Sequence, residues 1–147
     1  MIVPDINLLV CAHNAAAPLH ELARGWWEDL LRREQPVGIP WAVTFGFVRL
    51  LTHPAVLVRP LLPAEAMDRA AAWFDQPSVE PLDPGPRHLA IVRGLFAATQ
   101  VAGRLTTDTH LAALAIEHQC ELHSSDADFE RFPGLRWRNP LRRATRA

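Results

Sequence analysis

Asp5, Asp108 and Asp126 are the residues of this chain whose type and placement fit chemistry best. Asp5 follows the opening Met-Ile-Val-Pro, Asp108 heads the segment containing Leu-Ala-Ala-Leu-Ala-Ile, and Asp126 follows Glu-Leu-His-Ser-Ser. If the neighbouring segments are strands of one parallel sheet, the three carboxylates gather at its edge. Three such anions repel one another and raise each other's pKa, so they need a cation or a shared proton to stay together. Mg2+ or Mn2+ suits an all-oxygen site in which water fills the remaining octahedral positions, and neither ion requires histidine or cysteine. The other chemical residues point nowhere comparable. Cys11 and Cys120 lack the spacing of a zinc site and read as small packing residues in a reducing compartment. Of the histidines, His110 and His118 stand eight residues apart on one expected helix. His13, His20, His53, His88 and His123 show no paired ligand spacing, so histidine-based cleavage has little support.

Each aspartate also has a purely structural explanation. Asp5 could cap the first helix, Asp108 could be the N-cap or a first-turn acid of its helix, and Asp126 could make an Asx turn before Phe129. Three independent caps have no reason to converge on one edge, however. Ser124 and Ser125 beside Asp126 add hydroxyls suited to fixing water or phosphate.

The elements that must position these residues alternate between strand and helix. Short apolar strands are expected at 2–4, 37–40, 79–82, 121–123 and 135–137. A first helix follows Asp5. Leu19, Leu22, Ala23, Trp26, Leu30 and Leu31 recur at three- and four-residue spacing and predict an amphipathic helix over 18–34, stopped by Pro36 and Gly38. Further helices are expected at 42–51, 63–74, 85–100 and from Asp108 to about Gln119. Strands separated by helices imply right-handed crossovers and a three-layer α/β/α domain with a short central parallel sheet. In such sheets, sites lie beyond the carboxyl ends of the strands.

At 147 residues, 49% of them apolar, the chain suits one domain, expected over 1–141 with a basic tail at 142–147. No apolar run approaches the ~20 residues that span a bilayer, and the start lacks a signal peptide's basic and apolar regions. The expectation is a cytoplasmic protein without a membrane role. The net charge of −1 argues against a globally basic nucleic-acid binder, yet no acid follows Glu130, while Arg131, Arg136, Arg138, Arg142, Arg143 and Arg146 do. That stretch can attract phosphate backbones or an acidic partner; from Arg142 onward a solvated, frayed tail is the simpler reading.

The chain resembles the PIN-domain ribonucleases, and more closely the VapC-type toxins of bacterial toxin-antitoxin pairs. The resemblance lies in Val-Pro-Asp-Ile-Asn-Leu-Leu at 3–9, His-Glu-Leu-Ala-Arg-Gly-Trp-Trp at 20–27 and Phe-Val-Arg-Leu-Leu-Thr-His-Pro at 47–54. It continues in Thr-Asp-Thr-His-Leu-Ala-Ala-Leu-Ala at 107–115 and Ser-Ser-Asp-Ala-Asp-Phe-Glu-Arg-Phe-Pro-Gly-Leu at 124–135. It implies a metal-dependent endoribonuclease acting on single-stranded RNA or a tRNA loop, with the family's first, third and fourth acids falling on Asp5, Asp108 and Asp126. Asn7 matches a polar position that supports the first acid, or is a surface residue of the first helix. Asp128 could reach metal through water, or make a local hydrogen bond or salt link. Arg49 could bind a phosphate in the groove, or lie along its helix paired with an acid.

The position of the family's second acid, a glutamate, falls on Gly46. A glycine has no ligating side chain, so the resemblance also admits a catalytically degenerate PIN-like module that binds antitoxin or RNA without cutting. In the enzyme reading, the metal would acidify a bound water and offset phosphoryl charge, with Asp126 orienting the water. A receiver or a haloacid-dehalogenase-like phosphatase would also place acids on strand ends. Both use a lysine, and this chain has none. The resemblance further implies a homodimer and a cognate VapB-like antitoxin whose C-terminal segment reaches the acids and can silence them with a basic residue. Trp26, Trp27, Trp41, Trp73 and Phe74 exceed what one-sided helices usually bury, so some are expected at an interface.

Overall fold

A computed structural model of the protein describes residues 1–142; the expected basic tail beyond Arg142 lies outside the described residues. Five strands form one all-parallel sheet: β1 (Ile2–Pro4), β2 (Val37–Pro40), β3 (Val79–Leu82), β4 (Glu121–His123) and β5 (Arg136–Arg138). Their order across the sheet is β3-β2-β1-β4-β5. β1 and β2 are buried throughout, as strands covered on both faces must be. The two edge strands differ. β3 exposes Glu80 and Pro81, and β5 exposes Arg136 and Arg138; proline and arginine both discourage a further strand from pairing there.

The helices are α1 (Ile6–His13), α2 (His20–Arg32), α3 (Trp41–Leu51), α4 (Pro63–Phe74), α5 (His88–Thr99) and α6 (Thr106–Glu117). From β1 the chain steps to β2 and then β3 in one direction, and the third crossover returns past β1 to β4. Right-handed connections therefore put α1 to α4 on one face and α5 and α6 on the other, the expected α/β/α arrangement. β1 and β4 are neighbours whose connecting helices leave toward opposite faces. In open α/β sheets, sites lie beyond the carboxyl ends of strands at such a switch point.

Local chemistry explains most of the boundaries. Asp5 caps α1 by accepting the Ile6 N–H at 2.7 Å, and Pro63 starts α4 while Glu65 accepts the Leu62 N–H at 2.9 Å. The helix expected from residue 18 begins at His20, because residues 17–19 form a turn closed by His20 N–H on the Ala17 carbonyl. The helix expected from residue 85 begins at His88, because the Gly85 and Arg87 amides are drawn to the Glu117 carboxylate instead. A 3-10 turn, Gly103–Leu105, runs into α6, so Asp108 is a first-turn acid rather than the N-cap. A second one, Ala127–Arg131, follows Asp126 and has no apolar period to announce it.

On the α1–α4 side the core centres on Phe47 and Trp73, whose rings meet edge-on at 4.3 Å, with Trp27 edge-on to Trp73 at 6.0 Å. Leu9, Ile39, Val43 and Leu51 are buried around them. On the other face, α6 buries the unbroken run Leu111 to Ala115. Truncating a ring such as Phe47 would cost about 3–5 kcal/mol.

Candidate active site

Asp5 ends β1, Asp126 follows β4, and Asp108 enters from the first turn of α6. Asp5 is buried, at 4% exposure. One of its carboxyl oxygens accepts the Ile6 N–H and the other accepts the Ser124 hydroxyl at 2.7 Å, while its own N–H donates to the His123 carbonyl at 2.9 Å. Ser124 is itself enclosed. Its Oγ accepts the Asp126 N–H at 3.0 Å and its N–H donates to the Arg138 carbonyl, so the residue ties β1, β4 and β5 together at their ends. It is therefore not the hydroxyl for water or phosphate that the sequence suggested: burial has turned it inward to Asp5. Ser125, by contrast, is exposed.

Asp126 makes the Asx turn foreseen for it, one oxygen accepting the Asp128 N–H at 2.8 Å. Asp108 is half-buried and its carboxylate has no hydrogen-bond donor among the described residues. The cap engages one oxygen of Asp5 and the Asx turn one oxygen of Asp126, while Ser124 takes the second oxygen of Asp5.

The three carboxylates sense each other electrically. Burial lifts the Asp5 carboxyl from 3.8 to about 6; the Ser124 and Ile6 hydrogen bonds oppose this, and the negative charges of Asp108 and Asp126 add to it. Asp108 is also raised, by burial and then by Asp126 and Asp128, with the Arg104 guanidinium pulling the other way. A cation here would relieve all of these repulsions, and every donor is a hard oxygen. Among the described residues, no group of three His, Cys, Asp or Glu side chains is drawn in closely enough to hold an ion by itself.

The remaining residues sort plainly. Asp128 is held by Arg131 at 2.7 Å and Arg104 at 3.3 Å, the salt link anticipated for it. Asn7 is exposed on α1 and makes no hydrogen bond to Asp5, which favours its surface reading. Arg49 is exposed on α3 one turn beyond Gly46 and, among the described residues, is in no ion pair. At Gly46 a Cβ would stand 2.5 Å from Cδ1 of Ile6, the residue that follows Asp5, so this position does border the acidic edge.

One cluster escaped the sequence reading altogether. Buried His88 meets His110 at 2.8 Å and Glu117 at 3.5 Å, and Glu117 also accepts the Gly85 and Arg87 amides at 3.0 and 2.9 Å. The seven-residue step from His110 to Glu117 on α6 marks one helix face, but nothing in the sequence places His88 against it. No helix among the described residues is long and apolar enough to cross a membrane.

The PIN domain family model matches residues 2–135. This chain belongs to the PIN domain family. The family resemblance seen in the motifs is thereby borne out, and this PIN domain has near full-length relatives. It is 45% identical over 142 residues to Ribonuclease VapC33 of Mycobacterium tuberculosis, covering 97% of this chain and 99% of the relative. It is 38% identical over 141 residues to Ribonuclease VapC43 of the same species, covering 96% of each. Among solved structures, FitAB bound to an IR36 DNA fragment aligns over the full length of both chains with a TM-score of 0.71 at 17% identity. VapBC2 from Rickettsia felis, bound to a DNA fragment from its promoter, aligns with a TM-score of 0.68 at 15% identity, covering 95% of this chain and 98% of that one. At these identities the structural likeness speaks for the PIN fold.

Proposed function

We propose that this PIN domain is the toxin of a toxin-antitoxin pair, a divalent-metal-dependent endoribonuclease that hydrolyses phosphodiester bonds in single-stranded RNA or a tRNA loop. The observation that carries the reading is the set of three coupled carboxylates, Asp5, Asp108 and Asp126, beside the carboxyl ends of β1 and β4. Near full-length relatives named as ribonucleases support it.

Asp5, Asp108 and Asp126 would hold Mg2+ or Mn2+, directly or through water. When bound, such an ion acidifies a water and offsets charge on the phosphoryl oxygens. Asp5 is the fixed point: its two hydrogen bonds leave its carboxylate no freedom to turn, so position is set before substrate arrives. The free oxygen of Asp126, braced by its Asx turn, orients the attacking water. Arg49, exposed and without an ion-pair partner among the described residues, is placed to meet a phosphate from the α3 side. Gly46 offers no side-chain ligand, so Asp5, Asp108 and Asp126 would be the protein's carboxylates for such an ion.

The same features suit a cognate VapB-like antitoxin: an arginine or lysine inserted among the acids would substitute for the ion. They also suit a cytoplasmic protein, where RNA and antitoxin would be met. Trp27 and Trp73 are core, whereas Trp41 is 45% exposed and Phe45 58%, Trp41 stacking on Phe74 at 5.5 Å. This aromatic surface is the natural place for antitoxin or a second subunit of a homodimer.

Cleavage of a structured RNA mixture with Mg2+, Mn2+ or chelator, alongside Asp5→Asn and Asp108→Asn, tests the reading. Metal-dependent cutting lost in both variants is expected. No cutting with any metal, with RNA or antitoxin binding intact, would favour the degenerate module that Gly46 permits.

A further inference from the structure

A cavity of about 370 Å3 lies between α2 and the ends of β4 and β5, on the α1–α4 side of the sheet. Trp26 and His123 form its floor, their rings 5.9 Å apart and tilted by 42°. The Trp26 indole N–H donates to His123 Nδ1 at 3.1 Å, and His123 Nε2 lies 2.7 Å from the Glu121 carboxylate. Both polar handles are thus satisfied internally, and the half-exposed indole contributes its aromatic surface to the cavity. Beside it on α2, Gly25 also lines the cavity, and a Cβ there would meet nothing within 4 Å.

The charges around this floor are unequal in availability. The two acids of the lining, Glu21 and Asp29, are already paired, with Arg24 at 3.2 Å and Arg32 at 3.4 Å. Its two cations, Arg33 and Arg138, are in no ion pair among the described residues. Burial holds the His123 imidazole below its ordinary range against the pull of Glu121, and the charges of Arg138 and Arg33 push the same way as burial, so both reach the floor.

The cavity adjoins the acidic edge through the backbone. The carbonyl of His123 takes the Asp5 N–H, the next residue's hydroxyl holds the Asp5 carboxyl, and the carbonyl of Arg138 takes the Ser124 N–H at 3.1 Å. An aromatic surface with two uncommitted guanidinium groups is the chemistry that takes a base and its phosphate. The volume falls within the ~300–1,000 Å3 of small-ligand sites.

We propose that this cavity binds one nucleotide of single-stranded RNA flanking the scissile phosphodiester, its base against Trp26 and its phosphate met by Arg33 and Arg138. The proposal rests on the nuclease reading and adds to it a subsite that fixes the strand on the α2 side of the acids.

Fluorescence anisotropy of a labelled single-stranded RNA, in chelator to prevent cutting and across 50–200 mM salt, tests it. The double variant Arg33→Gln/Arg138→Gln should bind at least tenfold more weakly at low salt. Its log-affinity against log-salt slope should be shallower by about 0.7, the value for one single-strand phosphate charge no longer neutralised. Trp26→Leu should bind about 5- to 150-fold more weakly, the range for removal of one base stack, with the slope unchanged. Arg93→Gln, exposed on α5 and away from the cavity, should bind as wild type. The surface arginine pair keeps the test decisive even if Trp26→Leu fails to fold. Wild-type affinity and slope in the arginine double variant, or an equal loss in Arg93→Gln, would overturn the subsite. If Asp5-dependent RNA cutting is present in that case, the nuclease reading stands without it. A wild type that neither binds nor cuts RNA overturns both.

Discussion

Replacing Asp5 by Asn should make the metal-free protein more stable. In the folded chain the Asp5 carboxyl titrates at about 6, against 3.8 when free, through burial and then the charges of Asp108 and Asp126. Well below pH 4 the group is protonated in both folded and unfolded chains and costs nothing. As the pH rises from 4 to 6 the unfolded chain releases the proton first, so stability falls; above pH 6 the loss is complete. At ~1.4 kcal/mol per pH unit the penalty is about 3 kcal/mol. Asparagine removes the charge and keeps an acceptor for the Ile6 N–H, but its amide N–H2 meets the Ser124 hydroxyl, which must reorient. Losing that hydrogen bond costs about 1 kcal/mol. The net gain is then about 2 kcal/mol at pH 8, turning into a small loss near pH 4. For a chain of this size it corresponds to roughly 4–8 °C in Tm. Thermal unfolding followed by circular dichroism from pH 4 to 8 in chelator reads it directly. Added Mg2+ should raise the wild-type Tm at pH 8 and leave Asp5→Asn unmoved. A variant no more stable than wild type at pH 8, or a difference that does not shrink toward pH 4, would refute the account of Asp5 as a buried, unpaired charge.

Ser124→Ala removes a hydrogen bond that holds the Asp5 pKa down, so the pH at which Mn2+ loads should move upward, as read by isothermal titration at several pH values; an unchanged midpoint would argue against the bond. Glu117→Gln weakens the charge-assisted bonds from the Gly85 and Arg87 amides and should cost about 2 kcal/mol, seen as a lower urea midpoint at pH 7. Gly85→Ala acts on the same junction, since its Cβ would stand 2.6 Å from Glu117 Oε1, and should destabilise comparably. Trp73→Leu, which removes the ring between Phe47 and Trp27, should lower stability by a few kcal/mol while leaving RNA affinity per folded molecule unchanged.

What could be read in advance follows the reach of each physical signal. Apolar residues announced β1 and β2, because burial on both faces leaves little choice of residue; β3 and β4 stand where they were expected, β5 begins one residue later at Arg136, and the 3.6-residue period of α2 was visible in Leu22, Trp26 and Leu30. The start of α5 was not, because the Gly85 and Arg87 amides answer to Glu117, some thirty residues away. The acids of the site were legible individually as turn and cap residues, and collectively only through the order of the strands. Ser124 shows the limit: a serine beside an aspartate suggests an outward hydroxyl, and only the closure of β1, β4 and β5 on one another turns it inward. The Trp26–His123 floor joins residues nearly a hundred positions apart and carries no local pattern at all.

The contact between Gly46 and Ile6 makes the two positions historically dependent. A side chain at 46 must first displace the Ile6 ethyl arm, whose Cδ1 occupies the place of a Cβ. Ile6→Val deletes that atom at modest cost to packing and leaves a tight 3.2 Å contact with Cγ1 in place of the clash, whereas Gly46→Glu made first has to turn the ethyl arm aside. In this chain the order of the two changes therefore matters. The same glutamate would be received differently in two lineages according to what had already happened one residue after Asp5.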